Sequence, residues 1–330
     1  MPEFELLCDQ LHLTAELEDT EQLQRLKNWW QTDVSSDISF QGTPREEYRL
    51  YYNEAKRYLN TFLSNKFTHM NAIQYAAIHG YNHYLAQLNE ATDAFDQPDK
   101  DGMTPLHWAA YKGHIHTVES LLQKGANPIK LNKNSQMPIY STLLVPVKKS
   151  PDLFSHKQTL FNLLFNRAPE SINHQDNNGN SVFHLMASDD HFNPLLNEAT
   201  LAKSHALSQP NKLAQYPVHT AILNHQINNA RLLLESNTGV DKQADREGRV
   251  PLHYAAMHGS DELINLCINH SENINIRDTY NKTPLILAAE IGNQEAINAL
   301  LHHHADQELK DCSNKNYHDY NQRWALLQGQ

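Results

Sequence analysis

Thr104-Pro105-Leu106-His107-Trp108-Ala109-Ala110 is the stretch whose reading decides the fold. It returns as Val250-Pro251-Leu252-His253-Tyr254-Ala255-Ala256 and as Thr283-Pro284-Leu285-Ile286-Leu287-Ala288-Ala289. Worn copies are Asn71-Ala72-Ile73-Gln74-Tyr75-Ala76-Ala77, Met137-Pro138-Ile139-Tyr140, Ser181-Val182-Phe183-His184 and Tyr216-Pro217-Val218-His219. The copies open at residues 71, 104, 137, 181, 216, 250 and 283, in steps of 33, 33, 44, 35, 34 and 33. Another step of 33 reaches Asn316, where Tyr317-His318-Asp319 opens a truncated last copy. A register held that long marks an array of one supersecondary unit.

Each unit reads as two helices. Pro105 suits the first helical turn, where its missing N–H costs nothing and φ is already set. Ala109 and Ala110 are small enough to let neighbouring units stack closely, and Gly113 can end the first helix in a left-handed conformation. A second helix then carries Val118, Leu121 and Leu122 at i, i+3 and i+4, one apolar face. Ile264, Cys267 and Ile268 repeat that face, as do Ile297, Leu300 and Leu301. Asp99-Lys100-Asp101-Gly102 has turn chemistry and reads as a projecting hairpin tip. One such unit cannot bury its own apolar face; stacking does.

These residues resemble the ankyrin repeat, whose period is about 33 with a T-P-L-H-x-A signature. The resemblance covers residues 67–330. Gly80, Gly113, Gly259 and Gly292 stand nine residues after their motif starts, and Gly125-Ala126-Asn127, Ile172-Asn173-His174 and Ile274-Asn275-Ile276 match further family positions. It implies an all-α solenoid with short β-hairpin tips, about seven repeats and a partial C-terminal capping repeat. It also implies that a partner protein is held on the tips and first-helix ends of the concave face. Carried over by register, that surface is Ile78 and His79 in the first repeat; Lys100, Asp101, Met103, Tyr111 and Lys112 in the second; Arg246, Glu247, Arg249, Met257 and His258 in the sixth; and Thr279, Tyr280, Lys282, Glu290 and Ile291 in the seventh. Tyr111, Met257, Tyr280 and Ile291 are expected there as exposed apolar anchors, in line with the aromatic bias of interface hot spots. In the worn copies the tips fall at Lys133-Asn134, Asn177-Asn178 and Lys212-Leu213.

The third to fifth copies lose the paired alanines. Their helices are expected to form with a local change in curvature. The step of 44 contains an insertion near 145–155, with Pro146 and Pro151, read as a long exposed loop between the two helices of the third repeat. Residues 1–66 carry no repeat. Thr43-Pro44-Arg45-Glu46 is a capping box opening a helix with Tyr48, Tyr51, Tyr52, Ala55, Tyr58, Leu59 and Phe62 on one stripe. A terminal repeat needs a covering element, so the segment is read as a helical cap. The alternative is a module: Met1-Pro2-Glu3-Phe4-Glu5-Leu6-Leu7 with Trp29-Trp30 is similar to parts of an F-box, which would make a ubiquitin-ligase adaptor, and a small enzymatic unit using Cys8 is the other variant.

Composition narrows the function. The 38 acidic and 27 basic residues leave a charge of −11. Nucleic-acid partners need clustered Lys and Arg, and the longest basic run is Lys148-Lys149. Cys8, Cys267 and Cys312 form no disulfide framework, which suits a reducing compartment. The acidic start lacks a secretory signal, and no apolar run reaches membrane-spanning length. Neither a Rossmann-type nor a Walker-type phosphate loop is present. His107, His184, His219 and His253 occupy the signature position and are expected to bond backbone groups that hold repeats in register. His302-His303-His304 points in three directions on a helix and is read as a solvated helix end, not a metal site. Cys267 aligns with Leu121 and Leu300 as core. The expectation is a cytoplasmic binding scaffold, monomeric alone, with no catalytic residues, cofactor or metal. Its worn repeats and Asn, Gln and His content also resemble ankyrin-repeat effectors that intracellular bacteria deliver into host cells.

Overall fold

The computed structural model describes residues 72–144, 151–196, 205–236 and 239–328, apart from six positions between 83 and 90. Residues 1–66, and with them the cap-or-module question, lie outside the described residues. So does the stretch 145–150.

Apolar periodicity produces helices in pairs. First helices are α1 (Ala72–His79) and α2 (Pro105–Lys112), with α3 (Ile115–Gln123) as the second repeat's outer helix. The third repeat has α4 (Pro138–Ser141) and α5 (Pro151–Arg167). The fourth begins with α6 (Val182–Ala187), and the fifth has α7 (Pro217–Leu223) and α8 (Ile227–Glu235). Then come α9 (Pro251–His258) and α10 (Asp261–His270), α11 (Pro284–Ile291) and α12 (Gln294–His302), and finally α13 (Tyr317–Gln328), which opens the truncated repeat. First helices stack on first helices and outer helices on outer helices, giving two layers. One continuous core, with Leu106, Leu121, Phe183, Ile222, Leu252 and Leu285 buried, runs between them. No strand occurs among the described residues, so the hairpin tips are turns. No described helix is long and apolar enough to cross a membrane.

The signature residues behave as their chemistry requires. Thr104 caps α2, Pro105 takes its first position, and Gly113 closes it at φ +89°. In the third and fourth repeats the first helices form but are cut short, to four residues in α4 and six in α6. Thr142 stands where the second repeat has Ala109, and Ser188 where it has Tyr111; their hydroxyls bond back to the carbonyls of Ile139 and Leu185 at 2.7 Å and end the helix. Among the described residues, the outer layer of the fourth repeat is a 3-10 run, Asp190–Leu195, containing Pro194.

The insertion corrects an expectation. Its second half, Pro151–Ser155, is the start of α5, not loop. Pro151 stands at the first helical position, where proline starts a helix instead of breaking it.

The signature histidines tie repeats together. Each Nδ1 accepts a backbone N–H three residues back: from Thr104 to His107, Ser181 to His184, Tyr216 to His219 and Val250 to His253, all at 3.1 Å. That fixes the proton on Nε2, which donates to the next repeat: His107 to Gln136 O at 2.9 Å, His184 to Gln215 O at 3.0 Å and His253 to Lys282 O at 3.3 Å. Burial holds these rings neutral, with the pKa of His107 and of His219 lowered to about 4.

Candidate partner-binding surface

Seven tips open with Asp or Asn, always five residues before a motif start: Asp99, Asn132, Asp176, Asn211, Asp245, Asp278 and Asp311. In each, Oδ1 accepts the backbone N–H groups two and four residues on, at 2.8–3.0 Å. A short acceptor side chain thus folds the turn around itself. The fourth tip residue is left-handed throughout: Gly102, Ser135, Gly179, Ala214, Gly248, Asn281 and Asn314. At Gly102 a Cβ would stand 2.7 Å from Lys133 N, so close approach of the next tip requires glycine there.

The free carboxylate oxygen has a second use. It accepts from Trp108 Nε1 at Asp99, from Tyr254 Oη at Asp245 and from Tyr320 Oη at Asp311, at 2.6–2.8 Å. The tip is thereby anchored to its own first helix. In the seventh repeat Leu287 replaces the aromatic donor, and buried Asp278 Oδ2 is left facing Arg249 Nε at 3.8 Å.

A further device escaped the sequence reading. First-helix ends leave carbonyls without helical partners, and polar side chains from the outer layer of a following repeat take them up. His114 Nε2 bonds Ile78 O at 2.9 Å, Asn229 Nδ2 bonds Met186 O at 2.9 Å, and Asn293 Nδ2 bonds Ala256 O at 3.2 Å. In the third repeat the role falls to Lys157, 1 % exposed. Its ammonium donates to Ala110 O and Tyr111 O at 2.6 Å and to Ser141 O at 3.1 Å. Burial pulls its pKa down to about 7.

Most of the expected surface residues do lie on the tips and helix ends. Lys100, Asp101, Lys112, Arg246, His258, Thr279, Tyr280, Glu290 and Ile291 are exposed. Ile78, His79, Met103, Tyr111, Glu247, Arg249 and Lys282 are half-buried. Tyr111 packs edge-on to Trp108 at 5.9 Å, with Lys112 Nζ 5.8 Å from its ring. Met103 Sδ accepts from Asn132 Nδ2, and Arg249 pairs with Glu247. The seventh repeat is the best assembled: Lys282 of the tip bonds both carboxylate oxygens of Glu290 at the helix end, at 2.6 and 2.7 Å, beside exposed Tyr280 and Ile291.

Met257 is the correction. It is buried at 9 % exposure and belongs to the core, so it is no exposed anchor. An unbranched apolar chain can lie down on neighbouring core surface. Leu213, expected on a tip but not among the apolar anchors, is 70 % exposed at the fifth tip. Its place in the tip, the same as that of Tyr280, was the available signal. Elsewhere Cys267 is buried, with its thiol pushed up to about 12 by burial, while Cys312 is exposed on the last tip. His302 and His304 are exposed, whereas His303 reaches back to Asn265 Oδ1 at 3.2 Å.

The family model for ankyrin repeats matches residues 48–132 and 219–311, together more than half of the chain. The chain belongs to the ankyrin-repeat family. Solved ankyrin domains share the fold. That of human ASB11 superposes with a TM-score of 0.58 over 72 % of this chain and 99 % of its own, at 21 % identity. That of Bcl-3 does so with a TM-score of 0.53 over 66 % and 93 %, at 23 % identity. Among curated proteins, human ankyrin repeat family A protein 2 is 40 % identical over 65 residues, 20 % of this chain and 21 % of its own. Human transient receptor potential cation channel subfamily A member 1 is 23 % identical over 211 residues, 61 % of this chain and 18 % of its own. The ankyrin chain thus spans about a fifth of the length of the curated relatives it matches. Ankyrin repeats in general mediate protein–protein interaction.

Proposed function

We propose that this ankyrin array is a scaffold that holds a partner protein against its tips and first-helix ends, with the seventh repeat as the principal contact. The observation that carries this is the pairing of two exposed apolar side chains, Tyr280 at 51 % and Ile291 at 43 %, on a tip and helix end braced by the Lys282–Glu290 ion pair. Rigid, partly apolar groups on a pre-ordered backbone are what an interface anchor requires. The sixth and second repeats extend the surface through Arg246, His258, Lys100 and Tyr111. The worn repeats together with the Asn, Gln and His content resemble those of ankyrin-repeat effectors of intracellular bacteria, which favours a partner in a host cytoplasm.

The test is affinity capture from a eukaryotic lysate by the immobilised full chain, against the double variant Tyr280→Ala/Ile291→Ala. Loss of the captured proteins is expected, with stability within about 0.5 kcal/mol of the parent because both sites are exposed. Unchanged capture would sink this choice of face. Met257→Ala is unsuitable for the purpose, since it opens the core.

A further inference from the structure

Neighbouring tips are joined by a main-chain bond. Lys133, Asn177, Lys212, Thr279 and Cys312 each donate their N–H to the preceding tip at 2.8–3.0 Å. Among the described residues one junction lacks that link: Arg246 N–H does not bond Leu213 O. The signature histidine of the same junction, His219, has no well-formed hydrogen bond at Nε2, where the backbone of Gln243 lies only within weak reach, and Gln243 Oε1 is unbonded. Leu213, the most exposed large apolar side chain among the described residues, projects there. Lys212 and Arg246 flank it, both exposed, and among the described residues neither is in an ion pair.

Charge gives the occupant. The second residue of a tip is an exposed cation in four of the seven, Lys100, Lys133, Lys212 and Arg246, although the chain as a whole carries −11. Exposed acids such as Glu170, Glu235, Glu262 and Glu295 lie with the outer layer instead. At full exposure the tips carry Lys100, Lys133, Lys212, Arg246 and Lys315 against Asp101 alone, because the opening aspartates are wholly or partly buried, so the outermost charge of the tip row is positive on an acidic protein and complements a negatively charged ligand.

We propose that the junction of the fifth and sixth tips docks an acidic, extended segment of a partner protein. Its carboxylates meet Lys212 and Arg246, an apolar side chain covers Leu213, and its main chain takes the unused Arg246 N–H and Leu213 carbonyl. This rests on the tip-face reading above and adds the partner's chemistry and the place where it engages. Main-chain bonds would give such a segment affinity and the flanking cations would set its orientation.

The probe is a short fluorescein-labelled peptide of alternating Glu and Leu, titrated with the full chain by fluorescence anisotropy. A Gln–Leu peptide of equal length and a labelled single-stranded oligonucleotide are run beside it. Binding of the Glu–Leu peptide is expected, weakened by salt and by Leu213→Ser. Lys212→Glu/Arg246→Glu should weaken it about tenfold or more, while Arg167→Glu in the outer layer leaves it unchanged. A thermal melt confirms that the variants fold. The inference is overturned if no peptide binds, if the Gln–Leu peptide binds equally, if charge reversal has no effect, or if the oligonucleotide binds as well. The two readings fail separately. If the peptide results are negative while Tyr280→Ala/Ile291→Ala still abolishes lysate capture, only this inference falls.

Discussion

Ala214 holds φ +59° at a tip position that Gly102, Gly179 and Gly248 occupy elsewhere. An L-residue with a Cβ is strained there by roughly 1–2 kcal/mol, because Cβ crowds the following carbonyl. Ala214→Gly should therefore stabilise the chain by about 1 kcal/mol, the strain relieved exceeding the added chain entropy. A urea melt that shows no gain, or a loss, refutes this. At the same scale the sequence was readable in uneven ways. Asp or Asn precedes every copy but the first by five residues, including the worn third to fifth, so the turn chemistry outlasts the helix signature. Asp101-Gly102 spells a turn in the second repeat's tip, whereas a lone Asn132 or Asn211 carries no such local signal and is legible only through the period of the array. Exposure was harder. Register places Met257 with Tyr111 and Glu290, but register gives backbone position only. Whether the side chain stands up or lies down depends on the neighbouring surface, which no local pattern encodes.

The element that departs most from the repeat is α5. With 17 residues it is nearly twice the length of α3, and its added turns replace what the sequence presents as a proline-punctuated loop. The helix pairs themselves were legible because their apolar spacing is strong. The extension was not, because a proline that starts a helix and one that breaks it differ only in the residues on their C-terminal side. The extension has a structural purpose. It brings Lys157 under the ends of α2 and α4, where a cation suits the exposed carbonyls and the negative end of the helix dipole. Since α4 is only four residues long, Ser141 O becomes available to the same ammonium. Lys157→Ala should leave three carbonyls and a cavity behind, and cost about 2–4 kcal/mol. Thr159→Ala, on the exposed side of the same helix, should cost less than about 1 kcal/mol. Denaturant midpoints of the two variants decide it; equal costs would mean that Lys157 is a passive passenger of burial.

At the scale of the whole molecule, stability in a repeat array is close to a sum of units and the interfaces between neighbours. The buried signature histidines sit on those interfaces, and their ionisation therefore acts on the array as a set. Each is held neutral by burial, while in the unfolded chain it titrates near 6.5. The folded pKa is thus the lower one. Between 6.5 and about 4 the unfolded chain binds more protons than the folded chain, so stability rises with pH across that window and is lost as pH falls through it. His107 and His219, both near 4, each contribute roughly 3 kcal/mol to the loss on full acidification. The array should tolerate pH 7 to 9 with little change in urea midpoint on account of these groups, then weaken steeply from pH 6.5 to 4.5, above the range in which ordinary carboxylates dominate. His107→Gln/His219→Gln should be less stable at pH 7, where the Nε2 bond to Gln136 is lost, yet show a shallower fall with acid. A double variant whose midpoint declines as steeply as the parent's would place the acid sensitivity elsewhere than in the histidines that hold the repeats in register.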